Sequence, residues 1–157
     1  MIQTIQSLFE HQQWADTKLL SAVSAHEPAA SDSQMRSTLH HIAGVQRVFL
    51  SIVQGREVDV AAMQQVPETL AEIEELFRAT HGEWKAFVAG MTIDELGRRV
   101  VLPRFGDFPL NVEQVLLQVV MHSQNHRGQC LTRLRELGKK PPTLDYILWV
   151  KERAAAA

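Results

Sequence analysis

The chain has 157 residues, 16 Lys and Arg against 18 Asp and Glu, one Cys and seven His. That length suits one domain, and the expectation is a single domain over residues 1–157. A net charge of −2 argues against a general nucleic-acid binder, which carries a basic excess. A lone Cys130 excludes an intramolecular disulfide and a Cys-based zinc site. Any bound metal must therefore be held by His and carboxylates.

The first residues, MIQTIQSLFEHQQW, lack the basic and long apolar regions of a secretion signal. The longest nearly apolar run, Val115 to Met121, is broken by Gln118 and is too short to span a bilayer. The expectation is a cytoplasmic protein with no membrane or nucleic-acid partner.

Most of the chain carries a helical period. Ile2, Ile5, Phe9, Leu19 and Val23 fall near one face of a first helix, which the loop His26–Ser33 ends. A second helix is predicted from Ser33, as N-cap, to Gln54, with Met35, Leu39, Ile42, Phe49 and Val53 as its apolar stripe. Gly55 stops it, and residues 56–66 connect onward. Pro67 suits the first turn of a third helix, whose buried face is Leu70, Ile73, Phe77, Trp84 and Phe87 and which Gly90 closes.

Met91 to Leu110 is irregular. Its β-branched residues, prolines and Gly-Asp predict a long crossover loop with a small hairpin, and such a loop can shape access to a site. Asn111 and Gln114 form a capping pair for a fourth helix that runs to about Leu137 and stops at Gly138. A short last helix spans Leu144 to about Arg153, followed by Ala154 to Ala157, which should fray. The predicted class is all-α: a four-helix bundle with a long crossover before its fourth helix and a short C-terminal helix.

The chemical signal is HSQNH in the fourth helix. His122 and His126 are spaced i,i+4, so both imidazoles can reach one ion. Stepping along the helix from them gives Val115, Val119, Cys130 and Leu134, which predicts that both point into the bundle; Arg127, Arg133 and Glu136 then lie away from the stripe. A third ligand must come from elsewhere. His41 shares a face with Thr38, Val45, Val48 and Ile52, so it is the inward candidate, and His40 belongs at the edge or surface. The spacing also fits core histidines bonded to polar partners. Metal binding is favoured because several unpaired buried imidazoles are costly and an ion uses their lone pairs.

Lesser candidates surround this set. Gln46 and Gln129 could orient imidazoles or simply lie on helix surfaces. Arg127 could grip an anionic substrate or form an ion pair, and Asp145 could pair with Arg135. His81 falls between stripe and solvent and is not expected to ligate, and His26 lies in a loop. Cys130 reads as a small buried filler, and Trp14, Trp84 and Trp149 as core or pocket walls.

The stretch HSQNHRGQCLTRLRELGKKPPTLDYILWV resembles the C-terminal signature of the DinB/YfiT-like family of damage-inducible metalloenzymes. The matching positions are His122, His126, Arg127, Gly128, Gln129, Leu134, Arg135, Gly138, Pro141, Pro142, Asp145 and Tyr146. LHHIAGVQRVFL resembles the family's other motif and puts His41 at a metal-ligand position. LFEHQQWADTKLL is similar to its first helix, with Trp14 in place and His11 where an aromatic is common. The resemblance implies a three-His site of His41, His122 and His126 for a divalent ion, with zinc or nickel ahead of iron, manganese and copper. It also implies a homodimer and a metal-dependent transferase that moves a low-molecular-weight thiol onto an electrophile. A metal hydrolase and a non-catalytic metal-binding stress-response module are the alternatives.

Overall fold

The computed structural model describes residues 1–58, 61, 64–102 and 108–156. Four long helices carry the architecture: α1 (Ile2–Ser24), α3 (Ser33–Val53), α4 (Leu70–Ala89) and α6 (Val112–Glu136). Shorter elements are α2 (Glu27–Ala30), α5 (Ile93–Gly97), β1 (Arg99–Val100), β2 (Leu110–Asn111) and α7 (Tyr146–Ala156). α1 and α3 each pack beside both α4 and α6. The four axes therefore form a square with α1 diagonal to α3, and the α1–α4 edge lies opposite the α3–α6 edge. This is the all-α bundle that the helical periods predict.

Local chemistry explains the helix ends. The N-cap of α3 is Asp32, one residue before the predicted Ser33, and its carboxylate accepts from the Met35 amide at 2.7 Å. An ionised cap is favoured at a helix N-terminus, and Arg133 of α6 also pairs with it at 2.7 Å. α4 starts at Leu70 rather than at Pro67, because Thr69 and Glu72 form a reciprocal capping box. The predicted Asn111–Gln114 box is present on α6. Gly138 adopts φ +83, the left-handed conformation that ends a helix. The expected loop after α1 contains the single turn α2.

β1 and β2 pair antiparallel, Arg99 with Asn111 and Val100 with Leu110, so the predicted hairpin exists as a two-residue ladder. Residues 103–107 of the crossover, and 59, 60, 62 and 63 of the connector, lie outside the described residues. α7 begins at Tyr146, two residues later than expected, and is helical through Ala156, beyond the predicted end. It is fastened to α1: Glu152 accepts from the Trp14 indole at 2.8 Å and from Lys18 at 2.5 Å, and Arg153 pairs with Glu10. The proposed Asp145–Arg135 pair is absent from the ion pairs of the described residues; both side chains are solvated.

The core divides into two apolar clusters. One holds Phe9, Phe49, Leu50, Trp84, Val115 and Val119. The other holds Leu19, Met35, Leu39, Ile73, Phe77, Cys130 and Leu134. Between them along the bundle lies a buried polar layer. Asp16 of α1 accepts from Arg127 of α6 at 2.7 Å, from His81 of α4 at 3.0 Å and from Gln46 of α3 at 2.9 Å. Gln46 also bonds Ser123 of α6 at 3.2 Å. All four long helices thus meet in one network.

Two expectations are corrected here. Arg127 is 1% exposed, not directed away from the stripe, and His81 is buried at 7%, not near solvent. Both are drawn in by the Asp16 carboxylate, because a buried charge demands partners. Arg127 is therefore the structural ion pair, and Gln46 belongs to this layer.

Burial pushes the Asp16 carboxyl up, but Arg127, His81 and Gln46 outweigh it and hold the group below its ordinary value. The stabilisation is present above the unfolded value of about 3.9 and is lost as pH falls through the folded value. Arg127→Met should cost about 3–5 kcal/mol by urea unfolding at pH 7, because it strands a buried carboxylate. Asp16→Leu/Arg127→Met should recover most of that loss and unfold less steeply below about pH 4. A loss under about 1 kcal/mol for Arg127→Met would show that the pair does not support the fold.

Candidate metal centre

His122 and His126 follow from the polar layer. Each precedes a buried residue of α6, Ser123 and Arg127. A helix turns about 100° per residue. Fixing Ser123 and Arg127 inward therefore places both imidazoles on the flank of α6 that faces α3. They are half-buried there, not set within the stripe as predicted. Val115, Val119, Cys130 and Leu134 are buried as expected, and Ser123 and Arg127 extend their stripe on the side away from the histidines.

The α3 assignment is also revised in depth. His41 is exposed, on a half-buried face shared with Thr38, Val45, Val48 and Ile52. His40 is the buried one, at 5%. Helical phase selected the residue that faces α6, and mistook a partly covered inter-helix edge for the bundle interior. The candidate site is thus an open site on the α3–α6 edge.

Across that edge, ligand atoms of His41, His122 and His126 all lie within 4.8 Å of one another. Nε2 of His41 and Nε2 of His122 are 3.2 Å apart. Two nitrogens bound at 2.0–2.1 Å in tetrahedral geometry would stand about 3.3 Å apart, so this separation fits a shared ion. The three rings converge with centroids 4.4–5.0 Å apart and planes inclined by 52–72°.

Nδ1 of His126 lies 2.9 Å from Oε1 of Gln129. Nδ1 must donate to an amide oxygen, which leaves Nε2 with its lone pair for a ligand. Gln129, one of the two candidate orienting amides, therefore serves the site. Burial first, then the neighbouring imidazoles, pushes His122 down to about 4 and lowers His41 below its ordinary value. Both are neutral at pH 7, the form that ligates a metal. No carboxylate joins the three-His group among the described residues. The donor set could hold a divalent ion with at least one position open on the solvent side.

The other histidines have structural partners or none. His11 is buried among Trp14, Tyr146 and Trp149 and donates from Nε2 to the Leu144 carbonyl at 3.0 Å. Nε2 of His26 does the same to Leu137 at 2.9 Å. Together they fasten the segment after α6. Cys130 is 1% exposed, and burial pushes its thiol up to about 12, so it is the predicted filler and no nucleophile.

Asp16 is the residue that sequence reasoning missed. Its position among the apolar residues of the first helix, beside Ala15 and Leu19, was the available signal.

Zinc titration should give weaker binding by roughly 10–100-fold in Gln129→Leu, which loses the acceptor that orients His126. Unchanged affinity would remove Gln129 from the site.

A family model described as the DinB superfamily matches residues 18–130, a span that includes all three histidines. The match ends at Cys130, before the Pro-Pro and Asp-Tyr parts of the C-terminal signature. No curated protein matches the chain. On the matched span, which covers well over half of its length, the chain belongs to the DinB superfamily.

Proposed function

We propose that the protein is a metal-dependent transferase that joins a low-molecular-weight thiol to an electrophilic carbon, with His41, His122 and His126 as the metal ligands. The observation that carries this reading is the convergence of three imidazole nitrogens on an open helix edge with no fourth ligand among the described residues. Such open sites are the catalytic pattern, whereas closed four-ligand sites are structural. A zinc-type ion held there would supply Lewis acidity and lower the pKa of a thiol that reaches it.

A bound zinc-type ion would acidify a thiol and a water molecule alike, and the family resemblance favours the thiol. Cys130 is sealed in the core with its thiol pushed up to about 12, so a reacting thiol would arrive on a co-substrate. Within the chain, Gln129 holds His126, and the polar layer holds Ser123 and Arg127 so that their neighbours face α3. Zinc and nickel are the proposed ions. The proposed working form is a homodimer, for which the exposed Leu117 and Met121 on α6 offer apolar surface.

The test is turnover of a panel of electrophiles by metal-loaded protein, with and without small thiols. Thiol-dependent consumption that disappears in His122→Ala/His126→Ala is expected. Thiol-independent turnover would replace the reading with hydrolysis, and no turnover with any pair would leave a metal-binding module.

A further inference from the structure

On the opposite edge of the bundle, α1 and α4 enclose a cleft of about 230 Å³. Drug-sized pockets run roughly 300–1,000 Å³, so this one admits a smaller molecule, on the scale of a single ring with a short arm. Phe9, Trp84 and Val88 give it apolar walls. The Phe9 and Trp84 rings are 4.7 Å apart and tilted by 44°, and both are buried.

Two buried polar side chains also line the cleft. Gln12 is only 1% exposed, and its Oε1 has no hydrogen-bond partner. An orphaned acceptor destabilises a fold, and an apolar residue of similar shape would serve the core better. His81 lines the cleft too. Its Nε2 donates to the Asp16 carboxylate at 3.0 Å. The buried end of the cleft thus presents one unpartnered acceptor, Oε1 of Gln12.

The rim has the opposite need. Lys85 has no ion pair among the described residues, whereas Glu10 is engaged by Arg153. A ligand that satisfies both ends carries a hydrogen-bond donor at one side of a ring and an anion at the other.

We propose that the α1–α4 cleft is a binding site for a small aromatic acid that bears a hydroxyl or N–H group. The ring lies against Phe9 and Trp84, the donor meets Gln12, and the carboxylate meets Lys85. This site is separate from the three-His edge and stands whether or not that edge holds a metal.

The probe is 4-hydroxyphenylacetate, titrated into the 157-residue chain by calorimetry with saturation-transfer NMR. One saturable site per chain is expected, and it persists in His122→Ala/His126→Ala. Phenylacetate, which lacks the donor, should bind about fivefold more weakly. 4-Hydroxybenzyl alcohol, which lacks the charge, should lose about threefold at low salt. Lys85→Gln should match the second loss. Gln12→Leu should match the first and also raise Tm, because it removes the orphaned acceptor; that combination separates a ligand-binding residue from a structural one. No saturable binding, binding lost with the three-His site, or binding indifferent to both Gln12→Leu and Lys85→Gln would overturn the proposal. A lowered Tm with unchanged affinity in Gln12→Leu would do so as well.

Discussion

A carboxylate and a guanidinium, both withdrawn from water, hold the bundle in register. Asp16 and Arg127 would each be costly to bury alone, and each is tolerated only because the other is present. His81 and Gln46 complete the set, so one carboxylate gathers α1, α3, α4 and α6. Apolar packing on either side of this layer is permissive, because Leu, Ile and Val can slide or rotate with modest loss. A hydrogen-bonded ion pair is not permissive. It selects one rotation of α6, and that rotation fixes where the neighbouring histidines stand.

The result differs from bundles whose metals sit among inward-facing ligands from several helices. Here two helices supply all three imidazoles, and the group lies on an edge with His41 exposed. The interior is occupied by the polar layer instead. An edge site would leave coordination space on a bound ion open toward solvent. The same layer reaches the far edge through His81, which lines the α1–α4 cleft while bonded to Asp16.

Much of this was legible in the sequence, for identifiable reasons. Helical period placed the four long helices, and the Asn111–Gln114 pair marked the start of α6 because its chemistry is local. Local ambiguity explains the misplaced caps. Asp32 and Ser33 are both good N-caps, and the long-range partner Arg133 sits on another helix. The identities of the candidate ligands were readable from i,i+4 spacing and from the family resemblance. Their depth was not. An apolar stripe read from spacing alone omits Arg127 and Ser123, which are polar and yet inward. Once those two are counted, the centre of the stripe rotates and carries His122 and His126 to its flank. That correction required knowing that Asp16, 111 residues away in sequence, receives the guanidinium.

Metal content measures the central claim most directly. Untagged protein, purified without added metal and then reconstituted with zinc or nickel, should hold one ion per chain by elemental analysis. His122→Ala/His126→Ala should hold none while keeping its helical circular dichroism. No bound metal in the parent after reconstitution, or equal metal in parent and variant, would contradict a three-His centre on the α3–α6 edge.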